Sequence, residues 1–173
     1  MKKITSLALL FLACTFLLMN CKKEIEGCTD VDSENFNAEA TVNVGCVYAR
    51  DKFIGSYKGT LSCPGALNII NGETTLAIDE DIAGGKNDVT VLITTNTGLS
   101  IPIKGTCEGD KLSIDAVVKD VTVTILGAPQ KMDITAKGSV NFKEADKSLE
   151  GTLNLVTSFF GLGDNCPIVA KRQ

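Results

Sequence analysis

Between Cys28 and Cys46 the side chains of Asp30, Asp32, Asn35, Asn37 and Glu39 place oxygen atoms at close intervals along the chain. Hard oxygen donors at this density suit Ca²⁺, which takes six to eight of them. The stretch lacks the central glycine and the closing bidentate glutamate of an EF-hand loop, so calcium is a candidate cofactor only through these residues themselves. A simpler chemistry competes. Asx side chains bond to their own backbone and build turns without any metal, and the same residues serve that purpose equally well.

Histidine and tryptophan are both absent. Without histidine no Ser-His-Asp or Cys-His site can be assembled, and no His-ligated zinc. The seven cysteines do not fall into Cys-x-x-Cys pairs, which removes the common zinc and dithiol motifs. Asp79-Glu80-Asp81, beside Gly84-Gly85, reads as a solvated charge cluster at a turn. An enzyme is therefore the least supported class of function.

The elements that must position these residues begin with an address. Lys2 and Lys3 precede an apolar run from Ile4 to Met19 that only Thr5, Ser6 and Thr15 interrupt. A run of 16 residues is short against the roughly 20 that cross a hydrocarbon core, and it reads as an export signal over residues 1–20. Leu18-Met19-Asn20-Cys21 resembles the box that ends bacterial lipoprotein signals at its first and last positions, with Met19 and Asn20 departing from it. That resemblance implies a lipid on Cys21, a tether over residues 21–27, membrane attachment through the lipid, and a place in the cell envelope at the outer membrane. Cys14 after Ala13 is the competing acceptor, but cleavage there would leave Phe16-Leu17-Leu18-Met19 exposed beside the anchor.

Removing residues 1–20 takes two of the 17 basic residues and none of the 21 acidic ones, which leaves a net charge of −6. Lysines are scattered singly apart from Lys22-Lys23, so nucleic acid is not an expected partner. About 150 residues remain, enough for one core-bearing domain.

Export makes disulfides the default for the cysteines that remain. Cys28 and Cys46 bracket a polar segment, residues 28–46, with too few apolar residues to hold itself. A bridge there contributes roughly 3 kcal/mol by restricting the unfolded chain. Cys63 and Cys166 end the first and open the last strand of the following domain, and sheet closure would bring them together; Cys63-Cys107 is the rival pairing. Cys107 shares the apolar parity of Ile101 and Ile103, which suits a buried free thiol.

The segment 28–46 resembles the short disulfide-closed modules with Cys-Thr-Asp, Asn-x-Asn and a closing Gly-x-Cys that occur in secreted and lipid-anchored surface proteins of Gram-negative bacteria. Cys28-Thr29-Asp30, Asn35-Phe36-Asn37, Ala40-Thr41, and Gly45 and Cys46 carry the likeness; Phe36 stands where tyrosine is usual, Val31 replaces a proline, and Val44 an acidic residue. Phe36 is expected to pack over the bridge as the module's small core.

From residue 51 to 173 the chain alternates with period two. Phe53, Gly55, Tyr57, Gly59 and Leu61 share one face; Leu112, Ile114 and Ala116, then Val121, Val123 and Ile125, and later Met132, Ile134, Ala136, Val140 and Phe142, do the same. About nine strands are expected, near 53–63, 73–79, 88–95, 99–107, 111–118, 120–126, 131–142, 148–157 and 166–171. Asn71-Gly72, Asn96-Thr97-Gly98 and Gly109-Asp110 supply tight turns. The predicted fold is all-β: an antiparallel up-and-down meander curled into a barrel, with a two-sheet β-sandwich as the alternative. Pro102 lacks an amide donor and predicts an edge or a local opening, hence a partly open barrel.

Phe53-Ile54-Gly55-Ser56-Tyr57 resembles the opening of lipocalin-like proteins, whose first strand carries Gly-x-Trp and whose last segment carries a basic residue packed over that ring. Tyr57 stands for the tryptophan, and Lys171 or Arg172 for the basic partner; the resemblance implies the fold. Phe159-Phe160, between the last two strands beside Gly161 and Gly163, are expected to cap the core. The expected function is a non-catalytic, lipid-anchored envelope protein engaged in binding or surface interaction. Its alternative is a carrier that sequesters a small hydrophobic ligand among the inward Val, Ile, Leu and Ala side chains.

Overall fold

The structure, a computed structural model, describes residues 23–65, 67–125, 128–158 and 161–173. The export signal, Cys21 and Phe159-Phe160 lie outside the described residues. Two short strands, β1 (Glu26–Gly27) and β2 (Val42–Asn43), pair in parallel within the N-terminal segment. A single 3-10 turn at Ala49–Lys52 then leads into the barrel.

Eight antiparallel strands follow: β3 (Gly55–Leu61), β4 (Gly72–Glu80), β5 (Asp88–Thr95), β6 (Ser100–Glu108), β7 (Lys111–Ile125), β8 (Ala128–Lys143), β9 (Ser148–Thr157) and β10 (Gly163–Arg172). Each pairs with the next in sequence, and β10 returns to β3, so the sheet closes on itself as a barrel. The alternating apolar positions converge inside. Tyr57, Leu61, Ile78, Val91, Ile103, Leu112, Leu153 and Ile168 are almost wholly buried, with their polar neighbours outside.

The strands expected at 111–118 and 120–126 are one strand. Its apolar parity changes from even positions (Leu112, Ile114) to odd ones (Val121, Val123) because the register with β8 shifts between Val118 and Val121. Asp120, at φ 55°, takes up the extra residue; a short Asx side chain tolerates this left-handed conformation better than most.

Pro102 sits where the barrel seam stops. Thr95 donates its backbone N–H to the Leu99 carbonyl and Cys107 to the Asn87 carbonyl, so odd residues of β6 exchange bonds with β5, and even ones face β7. The nitrogen of Pro102 therefore points at β7, where no donor is available. Pairing between β6 and β7 runs only from Glu108–Lys111 to Gly105–Ile114. The circuit closes; at the proline only the paired register of β6 with β7 ends, and the partly open barrel expected from Pro102 is not formed.

Candidate functional site

The N-terminal module is held by side-chain to backbone bonds. Cys28 and Cys46 are bridged across 18 residues. Asp30 accepts from the backbone N–H of Asp32 (3.0 Å) and from the Tyr48 hydroxyl (2.8 Å). Those two donors hold its carboxyl below the usual carboxylate range, the backbone bond contributing most. Asn35 accepts from Val47 N–H (2.9 Å) and donates to the Gly45 carbonyl (2.6 Å), and Asn37 accepts from Glu39 N–H (3.0 Å).

Asp30, Asp32 and Glu39, the carboxylates among the candidate calcium ligands, are not gathered into one group. Oxygens of Asp30, Asn35 and Asn37 are engaged as turn-forming acceptors, and among the described residues no three Cys, Asp or Glu side chains converge where a metal ion could sit. The geometry is that of Asx turns closing a loop around a disulfide. Phe36 does not form the module's core. It is 45% exposed, and Cys28 and Ser33 are the residues buried there. The reason is local: the backbone of Phe36 bridges that of Cys28, and Ser33 donates from N–H and hydroxyl to the Asp30 carbonyl, filling the centre with polar turn atoms.

Four contacts seat this module on one end of the barrel. Asn87, in the β4–β5 connection, donates to the Asp32 carbonyl (3.0 Å) and accepts from Ala49 N–H (3.0 Å). Lys52 bridges Glu34 of the module and Asp110 of the β6–β7 turn, each at 2.9 Å. Asn87 and Lys52 carry no motif; their partners lie far away in sequence, and only the folded barrel puts them under the module. Arg50 pairs with Glu80 at 2.7 Å, and Lys104 with Asp81 at 2.5 Å. Of the sequence-predicted charge cluster, Asp79 and Glu80 therefore end β4, and only Asp81 starts a turn.

The other end of the chain forms a latch. Arg172, and not Lys171, lies against Tyr57: its guanidinium is 5.3 Å from the ring centroid and donates to the Tyr57 hydroxyl (2.7 Å) and to the carbonyls of Ile54 (3.0 Å) and Lys52. Tyr57 in turn donates to the Phe53 carbonyl (2.9 Å). Phe53 packs on Phe142 at 5.7 Å between centroids. At the opposite end of the β3–β10 ladder, Cys63 and Cys166 are bridged across 103 residues. Ser62 donates to the Pro167 carbonyl, which makes Cys63 and Cys166 the next, non-bonded pair of that ladder; their Cα atoms are 4.3 Å apart, as such pairs require.

Cys107 is free and buried. Burial, with a smaller push from Asp88, raises its thiol to about 12, so the nucleophilic thiolate is not formed near neutral pH. The barrel interior bounded by Leu76, Ile78, Val91, Ile93, Leu112 and Leu153 leaves a void of about 10 Å³, no more than one water molecule occupies. Outside, two open clefts of about 290 and 390 Å³ flank Asp81; Asp88, Thr106 and Asp115 line the first, Arg50, Glu80 and Lys86 the second. Lys104 pairs with Asp81 in the first and Arg50 with Glu80 in the second. No protein-family model, curated protein or solved structure matches the chain.

Proposed function

We infer that the chain is a non-catalytic, lipid-anchored envelope protein whose barrel is a rigid platform for binding at its outer surface. The observation that carries this reading is the packing inside the barrel among the described residues: Leu76, Ile78, Val91, Ile93, Leu112 and Leu153 leave about 10 Å³ between them. A ligand pocket needs several hundred Å³, so binding falls to the strand faces, the loops and the disulfide module. The export signal and the Leu18 to Cys21 box supply the location. A lipid on Cys21 attaches the chain to the outer membrane, and the short tether keeps the module within about 25 Å of the bilayer at full extension.

Metabolic labelling with palmitate tests the anchor. Label is expected in the wild-type protein and in Cys14→Ser, and none in Cys21→Ser; label lost only in Cys14→Ser would move the anchor. Protease shaving of intact cells then assigns the face of the membrane. Native mass spectrometry of the isolated protein addresses the platform reading, which expects the mass of the polypeptide and its lipid alone. A stoichiometric hydrophobic adduct would replace it with the carrier function.

A further inference from the structure

The N-terminal module sets two of its exposed apolar side chains on one face. β1 and β2 pair in parallel with Glu26 opposite Val42, and Val44 N–H donates to the Gly27 carbonyl at 2.9 Å. Opposed residues of paired strands point to the same side and alternate residues keep it, so Cys28 and Val44 share that side. On the other flank of β1, the parallel bridge between Cys28 and Phe36 adds Phe36 to the same row. Phe36 and Val44 therefore flank Cys28 and its disulfide, one on each side. The reverse side is closed: a Cβ on Gly27 would meet Asn37 at 3.1 Å and Ala40 at 3.2 Å, in the turn that leads to β2. Cys28 is buried, but Phe36 and Val44 are 45% and 43% exposed with the barrel in place. Neither takes part in the seat on the barrel, which Asn87 and Lys52 provide.

We propose that this face rests on the bilayer that holds the anchor, with Phe36 and Val44 among the headgroups of zwitterionic phospholipid. The inference rests on the lipid-anchor reading of Cys21 and deepens it. Reach selects a lipid surface as the occupant. Gly27 is bonded to Val44, and the six residues from Cys21 to Gly27 span at most about 22 Å. Acyl chains on Cys21 thus keep the face at high local concentration beside the membrane. Two half-exposed side chains offer too little apolar area to bind a bilayer alone, and the lipid supplies the rest. Charge selects the headgroup. Residues 28–46 hold Asp30, Asp32, Glu34 and Glu39 and no lysine or arginine, while Lys22 and Lys23 on the tether are offset by Glu24 and Glu26. Anionic lipid attracts basic segments and repels a surface of this kind, which headgroups ending in an ammonium match.

A tryptophan reporter tests the contact in the full lipidated chain as isolated from cells, since the sequence has no tryptophan of its own. The vesicles are phosphatidylcholine and phosphatidylethanolamine, with acyl chains brominated near the headgroup as quencher. Phe36→Trp is expected to emit at shorter wavelength on reconstitution and to be quenched severalfold more strongly than Leu92→Trp, on the outer face of β5. Val44→Trp reports from the other side of the bridge and should behave as Phe36→Trp does, which guards against a local disturbance in either variant. Equal quenching at all three positions overturns the choice of face. Flotation reads the anchor separately. Protein that does not float with the vesicles refutes the Cys21 reading and the inference with it, whereas protein that floats with both module reporters unquenched overturns the contact alone. A blue shift without quenching means that a protein partner or a second copy covers the face, and overturns the lipid contact as well. Replacing part of the lipid with phosphatidylglycerol is expected to weaken quenching; stronger quenching overturns the choice of headgroup.

Discussion

Arg172 shows how much one side chain contributes when it ends a barrel. Its guanidinium faces the Tyr57 ring, bonds the Tyr57 hydroxyl and caps carbonyls of the segment entering β3. Arg172→Ala leaves those carbonyls without a charged donor and is expected to cost roughly 2–3 kcal/mol, read as a shift in the urea midpoint. Lysine should recover little, because it cannot both stack and bridge. Cys107 makes the opposite prediction, one of inertness. Its thiol, raised to about 12 by burial, should not react with an alkylating reagent at pH 8 until the chain is denatured. The sign of its pH dependence follows: the stability tied to the neutral thiol is complete below the unfolded value near 8.5 and falls as pH rises toward the folded one. Asp88 works at the acid end. Gly85 N–H first, then the Thr106 hydroxyl, hold its carboxyl below its ordinary value, so its contribution is present above about pH 4 and is lost as pH falls below that. Asp88→Asn should flatten the acid limb of the stability profile, measured by thermal melts between pH 2 and 6.

Alternation along the strands was legible because each strand has one wet and one dry face, and the face is written in the residue types. The bulge in β7 was legible only as a parity change. Leu112, Ile114 and Ala116 are even and Val121 and Val123 are odd; sequence reads that change as a gap between strands, whereas the structure absorbs it in Asp120. Distinguishing the two needs the partner, since only the unbroken run of β8 holds both halves of β7 in one ladder. Glycines in these strands are spaces for a neighbouring backbone. A Cβ on Gly138, which has φ 152°, would lie 2.2 Å from the Thr152 carbonyl oxygen, and one on Gly59 would lie 1.9 Å from that of Val169. Gly138→Ala is expected to destabilise by roughly 2–3 kcal/mol through overpacking. Exposed Ser139→Ala beside it should change little. The comparison of their urea midpoints separates close approach of β9 from a general loss in β8.

At the scale of the molecule, closure depends on the meeting of β3 and β10, whose ladder runs from Ile168 opposite Leu61 to Arg172 opposite Tyr57. Sequence placed Cys63 and Cys166 at the ends of the first and last strands but could not choose between Cys166 and Cys107. The choice lies in the register, which sets Cys63 opposite Cys166 and turns Cys107 into the core. The Asx-rich module was ambiguous for a related reason: its oxygens suit either calcium or turns, and which they serve depends on whether the backbone N–H groups of Asp32, Glu39 and Val47 come within reach. The two bridges should therefore separate in their effects. Closing a loop of about 100 residues restrains the unfolded chain by roughly 4–5 kcal/mol, against about 3 for the shorter loop. Cys63→Ala/Cys166→Ala is expected to lower the midpoint of the whole barrel, followed by far-ultraviolet circular dichroism. Cys28→Ala/Cys46→Ala should leave that midpoint nearly unchanged, because the module meets the barrel mainly through Asn87 and Lys52. Its loss should show instead in the emission of Tyr48, freed from Asp30, in a chain with no tryptophan to mask it. If both pairs of substitutions moved the barrel midpoint equally, the module would be part of the barrel's cooperative unit and not a cap seated upon it.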